Sequence, residues 1–375
     1  MRPIQMVDLQ LQYAKIKDAV DAGIHAVLDS AAFINGKAVT DFSASLATYL
    51  GIKHVIPCAN GTDALQIAMM ALDLKPGDEV ITPSFTYVAT TEVIALLGLK
   101  PVFVEVDPKT FCIDPAAVEA AITPKTKAIV PVHLYGQSAD MEAIMEIAQK
   151  HNLYVIEDNA QAIGSDFQFK DGTVKKSGTI GTIGTTSFFP SKNLGCYGDG
   201  GAMFTNDDEL ATKLRMIANH GQSKRYYHDL VGCNSRLDSM QAAVLNVKLP
   251  KLDEYISARR AAADFYDNAF AASNQITTPF RAPYSKHVFH QYTLILEGVD
   301  RDALNSYLAE NQIPSMIYYP VPAHKQQMFA AFGGSDYVLK TTDWLTERVI
   351  SLPMHTELDQ EQLNLITSKV LSFIK

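Results

Sequence analysis

Between about residues 50 and 205, short apolar and β-branched runs alternate with stretches of helical periodicity. The runs fall at 55–58, 79–82, 102–106, 128–132, 154–157, 185–189 and 202–205. Strands separated in this way by helices predict an α/β fold with a mostly parallel, seven-stranded sheet sandwiched by helices. In 62–74 the apolar residues stand at 64, 65, 67, 68, 69, 71, 72 and 74, which implies a helix buried on most sides. Residues 140–151 are amphipathic and lead directly into the run at 154. Beyond about residue 235 the pattern changes to helical stretches at 237–249 and 255–270, a strand-like 291–296 and a helix at 301–311. We therefore expect a large α/β domain over 1–240 and a smaller C-terminal α+β domain over 241–375, with the N-terminal segment against the smaller one.

Composition narrows the class of function. A length of 375 residues, 47% hydrophobic and 19% charged, suits a globular chain with a sizeable core and excludes disorder over most of its length. A net charge of −9 argues against nucleic acid or an anionic membrane as partner and leaves a small-molecule enzyme as the better fit. Cys58, Cys112, Cys196 and Cys233 show neither CxxC spacing nor a disulfide framework, so no metal is expected and a reducing cytoplasm is the expected location. Residues 1–8 lack an apolar h-region and nowhere do about 18 uncharged apolar residues run together, so neither a cleavable export signal nor a membrane span is expected. The glycines of Gly178-Thr-Ile-Gly181-Thr-Ile-Gly184 do not form a dinucleotide fingerprint, because no GxGxxG opens a helix after the first strand.

In open α/β sheets ligands bind beyond the carboxyl ends of the strands, and five segments there carry candidate chemistry. Asn60-Gly61-Thr62 joins the first strand to its helix. Its free N–H groups suit a phosphate, although Thr62 as an ordinary helix cap is an equal reading. Tyr87 follows the second strand and could stack on a flat heterocycle or belong to the core. Asp158 ends the run at 154–157, with Gln161 three residues on. A buried carboxylate calls for a cation, such as the protonated ring nitrogen of pyridoxal phosphate, whose phenolic oxygen Gln161 could reach; Asp158 could otherwise cap a following helix. Lys192, in Ser187-Phe-Phe-Pro-Ser-Lys192, is either a desolvated amine suited to covalent chemistry, with Ser187 donating to phosphate, or a surface lysine in a loop. Asn234 and Arg236 precede a helix and suit phosphate binding, while Ser235 or Asp238 could cap that helix.

At these residues the chain resembles the fold-type-I pyridoxal-phosphate enzymes, in particular the DegT/DnrJ/EryC1/StrS sugar-nucleotide aminotransferases. The resemblance runs from Asp8-Leu-Gln10 to Ser351-Leu-Pro-Met-His355. Its most specific parts are Ala59-Asn-Gly-Thr-Asp-Ala-Leu65, Glu157-Asp-Asn-Ala-Gln161, Ser187-Phe-Phe-Pro-Ser-Lys192 and Gly195-Cys-Tyr-Gly-Asp-Gly-Gly201. It implies that Lys192 forms the covalent link to the cofactor and moves the proton, that Asp158 pairs with the pyridinium, and that Gln161 reaches the ring hydroxyl. Tyr87 would lie against the ring, and Gly61, Thr62 and Ser187 would bind the phosphate. Asn234 would reach the cofactor of a neighbouring subunit, which implies a homodimer with shared active sites.

Within that family the likeness is nearest to enzymes that aminate the 3-keto position of a UDP-N-acetylglucosaminuronate, with L-glutamate leaving as 2-oxoglutarate, in polysaccharide or O-antigen biosynthesis. Arg236, Tyr318 and Tyr319 would contact the sugar nucleotide. One departure stands out: Ile317-Tyr-Tyr-Pro320 has Tyr318 where those enzymes carry histidine. A dTDP-linked 3- or 4-keto-6-deoxyhexose is the alternative acceptor, and a non-catalytic cofactor-binding regulator is the alternative of another class.

Overall fold

The computed structural model describes residues 2–374. Two helices, α1 (Leu9–Ser30) and α2 (Lys37–Leu50), precede the first strand. Seven strands then form one sheet: β1 (His54–Cys58), β2 (Glu79–Pro83), β3 (Lys100–Val104), β4 (Thr126–Ile129), β5 (Tyr154–Asp158), β8 (Ile183–Ser187) and β9 (Gly201–Thr205). Each overlaps one of the seven expected runs. A hairpin of β6 (Asp166–Gln168) and β7 (Val174–Lys176) lies between β5 and β8 in the chain. The sheet order is β1-β9-β8-β5-β4-β2-β3, and only β9 runs antiparallel to its neighbours.

The two-residue period of a strand explains how the sheet is covered on both sides. Ile56, Val80, Ala128, Ile156, Ile183 and Met203 share one core with α3 (Gly61–Ala71) and α7 (Asp208–Ile217). Their chain neighbours point the other way. Val55, Ala202 and Phe204 meet Phe42 and Leu46 of α2 and Leu245 of α8 (Ser239–Lys248). Ile81, Ile129 and Val155 meet Val118 of the short helix 115–121 and Ile144 of the helix at 141–151. As expected, α3 is buried on most sides, through Ala64, Leu65, Ile67, Ala68, Met69 and Ala71.

A hairpin of β10 (Gln222–Lys224) and β11 (Tyr227–His228) stands out from this body with Lys224, Arg225, Tyr226 and Tyr227 exposed. The later part of the chain builds an antiparallel sheet from β12 (Ile276–Thr277), β13 (Tyr292–Leu296) and β14 (Val349–Leu352). Its core joins Tyr292, Leu294 and Ile350 to Tyr266 and Phe270, to Leu304 and Leu308, and to Ile366. Ile4 enters the same core, so the N-terminal segment packs here, and Arg2 reaches Asp8 and Asp359. Residue 240, the boundary expected from the sequence, lies in the first turn of α8, which packs on α1 and α2. The nineteen-residue helix α9 (Leu252–Phe270) spans both cores, contributing Leu252 and Ile256 to one and Ala263, Tyr266 and Phe270 to the other. Among the described residues no helix is long and apolar enough to cross a membrane, and all four cysteines are free.

The glycine run at 178–184 is a packing requirement of this fold. A Cβ at Gly184, inside β8, would lie 1.8 Å from the carbonyl oxygen of Gly178, a backbone atom that cannot rotate away. We predict that Gly184→Ala costs roughly 3 kcal/mol, the range of a forced overpacking. Urea denaturation of the two proteins side by side measures it, and a cost within experimental error of zero would contradict this account of the run.

Candidate functional site

The carboxyl ends of β1, β2, β5 and β8 open into one cavity of about 620 Å³, which loops from the C-terminal part close from the other side. At the β1 end, Asn60 caps α3 by accepting the Asp63 N–H at 2.8 Å. Asn60 is thus the cap that the sequence reading had offered to Thr62, which sits inside the first turn. With Asp63 and Ala64 served by Asn60, the Gly61 and Thr62 N–H groups remain without an intrahelical acceptor and face the cavity. Ser187, at the end of β8, sits directly opposite: a Cβ on Gly61 would come within 2.7 Å of the Ser187 Cβ. The absence of a side chain at 61 therefore leaves a cradle of two N–H groups and a hydroxyl at a positive helix end, where an anion is favoured.

Strand β5 ends in two adjacent carboxylates with opposite fates. Glu157 is fully buried and accepts from the Gly178 N–H at 2.8 Å, from Ile180 and Gly181 at 2.6 Å each, and from His133 Nε2 at 2.8 Å. The Ala139 N–H donates to His133 Nδ1 at 3.1 Å, which leaves the ring proton on Nε2, facing Glu157. Asp158, 5% exposed, points into the cavity. Thr90 donates to its Oδ2 at 2.7 Å and the Ala160 N–H to its Oδ1 at 3.1 Å. Among the described residues no cation lies within ion-pair distance of it. A buried carboxylate held in position by neutral donors alone is suited to a cationic partner brought by a ligand. No helix begins after it, so the capping alternative does not hold.

Gln161 is oriented by its neighbours, its Oε1 accepting the Tyr135 N–H at 2.7 Å and its Nε2 donating to the Tyr319 hydroxyl at 3.2 Å. Tyr87 is 58% exposed at the rim, with the Tyr319 ring 6.2 Å away. Tyr318 and Tyr319 line the cavity, and the Tyr135 hydroxyl donates to the Tyr318 carbonyl.

Lys192 is not a surface lysine. Its amine opens into the cavity, and burial pushes it down to about 8, against the opposing pull of Asp158. The neutral amine is therefore well populated near pH 8. The loop that carries it is anchored behind by Lys248 of α8, a buried lysine that donates to the Gly195 carbonyl at 2.8 Å and lies over the Tyr197 ring.

The same cavity thus receives Gly61, Thr62, Tyr87, Asp158, Gln161, Ser187, Lys192, Tyr318 and Tyr319. It does not receive Asn234 or Arg236. Asn234 is exposed, and Arg236 donates to Asn219 at 3.1 Å. Ser235, between them, accepts the Ala59 N–H at 3.1 Å. Asp238 stands at the N-terminus of α8 without making a side-chain cap. Sequence reasoning missed Thr90, although it lies one turn after Thr86 in the segment that carries Tyr87. It also gave no role to Asp199, although Asp199 lies within the Gly195–Gly201 motif, or to His290 and Gln291, for which no local pattern gave a signal.

The donor set fits pyridoxal phosphate. An anion cradle, a carboxylate without a cation, an oriented amide and an amine of lowered basicity enclose a volume adequate for the ring and for part of a substrate. Among the described residues no cluster of His, Cys, Asp and Glu could hold a metal.

Comparison with known proteins agrees. The model of the DegT/DnrJ/EryC1/StrS aminotransferase family matches residues 14–371. The chain is 49% identical to the UDP-2-acetamido-2-deoxy-3-oxo-D-glucuronate aminotransferase of Pseudomonas aeruginosa over 97% of this chain and 98% of that one. It is 48% identical to a pleiotropic regulatory protein of Geobacillus stearothermophilus over 99% of both. Among solved structures, DesV of Streptomyces venezuelae, in complex with a ketimine intermediate, superposes with a TM-score of 0.95 at 38% identity, covering 100% of this chain and 99% of that one.

The anchoring of Glu157 gives a test with a definite sign. Burial alone would raise this carboxyl, but the hydrogen bonds from His133 and from the Gly181 and Gly178 N–H groups outweigh it and leave it below its ordinary value. Its contribution to stability is then fully present above the unfolded carboxylate range, about 4.3, and is lost as pH falls through the lower folded value. Glu157→Gln should cost about 3 kcal/mol at pH 7, and the deficit should shrink as pH falls below the unfolded carboxylate range. Chemical denaturation of both proteins at each pH reads the difference, and a deficit that grows on acidification would refute the assignment.

Proposed function

The chain belongs to the DegT/DnrJ/EryC1/StrS aminotransferase family, and on that premise we propose the roles of its site residues and the identity of its acceptor. It is a pyridoxal-phosphate-dependent sugar aminotransferase. Our reading is that it moves the amino group of L-glutamate to the 3-keto carbon of a UDP-N-acetylglucosaminuronate. The observation that carries the site assignment is the pairing, in one cavity, of a cation-free buried carboxylate with a lysine amine of lowered basicity.

Bound pyridoxal phosphate supplies an electron sink that takes up the amino group from the donor and passes it to the acceptor. The protein's part is to hold and to move protons. The Gly61 and Thr62 N–H groups and the Ser187 hydroxyl would bind the phosphate at the N-terminus of α3. Asp158, fixed by Thr90, would pair with the protonated ring nitrogen. Gln161 would hold the ring hydroxyl, and Tyr87 would lie against the ring. Lys192 would hold the cofactor covalently and would move the proton at the substrate carbon, a task suited to an amine of lowered basicity.

For the acceptor, the reading is supported by nearly full-length similarity to the Pseudomonas aeruginosa enzyme, whose name specifies that sugar. Arg236, Tyr318 and Tyr319 are the residues we assign to it, with the Arg236 guanidinium suited to a diphosphate or carboxylate. We further propose a homodimer in which Asn234 and Arg236 of one subunit complete the site of the other, because both stand outside this chain's own cavity. We place the enzyme in the cytoplasm, where four free cysteines remain reduced.

Two measurements check this. Borohydride reduction of the holoprotein followed by peptide mapping should locate the cofactor on Lys192, and Lys192→Ala should abolish turnover while cofactor still binds. Attachment at another lysine, or full activity in the variant, would defeat the assignment. Separately, a panel of keto-sugar nucleotides with glutamate as donor should give the uronate a kcat/KM at least about 10-fold above its uncarboxylated UDP analogue and above dTDP-linked 3- and 4-keto-6-deoxyhexoses. Preference for a dTDP sugar would replace the proposed acceptor and leave the Lys192 machinery untouched.

A further inference from the structure

The wall of the cavity beside Lys192 is made by His290 and Gln291, in the segment Phe289-His290-Gln291. Three restraints fix it. Arg259, buried on α9, donates through Nη1 to the carbonyls of Phe289 at 3.1 Å, His290 at 3.2 Å and Met354 at 2.9 Å. Gly136, at φ 104°, backs directly onto it: Val288 N donates to the Gly136 carbonyl at 2.8 Å, and a Cβ on Gly136 would meet the Phe289 and His290 nitrogens at 2.9 Å. Asn193, the residue after Lys192, donates from Nδ2 to the Val288 carbonyl at 3.1 Å. The lysine loop and the histidine segment are thereby stitched into one unit.

Two groups on this unit have complementary needs. The Lys192 amine makes no hydrogen bond among the described residues. His290 Nδ1 is buried and has no partner either. Burial, with Lys192 and Arg259 beside it, holds the imidazole well below its ordinary value, so at neutral pH one ring nitrogen is an acceptor. Asp158 is the one other charged group of the cavity coupled to Lys192, and it is engaged by Thr90 and Ala160. A buried polar atom left without a partner is costly, and such atoms call for an explanation in function or solvent. Transamination offers one, because the lysine must leave the cofactor in every cycle and its amine then needs an acceptor that keeps it over the reacting carbon.

We propose that His290 is a positioning residue for the known reaction: its imidazole accepts a hydrogen bond from the Lys192 amine while the lysine is released, and so aims the amine for proton transfer. Arg259, Gly136 and Asn193 set the distance. This rests on Lys192 being the cofactor-bearing lysine, which the borohydride mapping above tests independently.

The apoprotein gives a readout that does not depend on turnover. Acetylation of Lys192 by acetic anhydride across about pH 6–10, followed by peptide mapping, should titrate near about 8 in the wild type. His290→Leu keeps the wall dry but removes the acceptor for the ammonium, and should lower that midpoint by about 0.5 or more; His290→Gln, which keeps an acceptor, should restore it. In the holoenzyme the glutamate half-reaction of the Leu variant should slow about 10- to 100-fold, with a larger isotope effect from α-deuterated glutamate and little change in KM or cofactor affinity. His290→Met takes the place of the Leu variant should that chain not fold. An unchanged or raised midpoint, or a rate loss matched by weaker cofactor binding, would overturn the role of His290. Mapping of the cofactor to a different lysine would instead overturn the site assignment itself.

Discussion

The site depends on how one strand end disposes of two neighbouring carboxylates. Successive side chains of β5 point to opposite faces, so Glu157 and Asp158 cannot share an environment. Glu157 is turned toward the backbone of 178–181, where three N–H groups and His133 neutralise it without any need for water. That anchor fixes the register and direction of the strand end, and through it the position of Asp158. Asp158 then faces the cavity with two neutral donors and no cation of its own. The imbalance is local, made possible by the complete satisfaction of the residue before it, and it suits the cavity to a positively charged ring.

A second consequence of the same geometry concerns Lys192. It shares the cavity with Asp158 yet does not pair with it, and the balance between burial and that distant carboxylate decides how basic the amine is. A direct ion pair would hold the lysine charged and would satisfy the aspartate, disabling both groups for their roles. The fold keeps them apart by placing them on different strand ends, with the lysine loop tied backward to α8 through Lys248 and sideways to Val288 through Asn193. Separation by rigid attachment, not by charge repulsion, keeps both groups available.

The sheet was legible because its strands obey a local rule. Each of the seven is a short apolar run, and alternate residues of each feed cores on opposite faces. The residues at the strand ends were legible for a related reason, since a polar residue just after such a run has few places to go. Other features were not, because they depend on partners far away in the chain. Whether Asn60 or Thr62 caps α3 turns on which side chain reaches the Asp63 N–H, and either residue suits a cap. The helices α1 and α2 gave no clear signal, since much of α1 is exposed and its buried face is defined by α8, more than two hundred residues away. The glycines at 178–184 read as an unassigned repeat until Glu157 was placed among their N–H groups. His290 has no pattern of its own, because its role is set by Arg259 and Gly136.

Charge balance within the cavity bears on how the substrate is held. Its lining residues include one cation, Lys192, and two acids, Asp158 and Asp199. A sugar nucleotide brings two phosphates, and a uronate adds a carboxylate, so a site with this lining alone would repel what it is proposed to bind. The cations suited to the task are elsewhere on the surface: Arg236 beside Asn219, and Lys224 and Arg225 on the exposed hairpin next to the Tyr227 and Tyr226 rings. In the homodimer proposed above, those groups from a second copy would meet the nucleotide at the mouth of the first, while the interior would keep the low cationic charge that suits Lys192 to act as a base. Such a division of the cations between subunits would separate the demands of binding from those of proton transfer, which a single chain with every cation in its own cavity could not do without changing the basicity of its lysine.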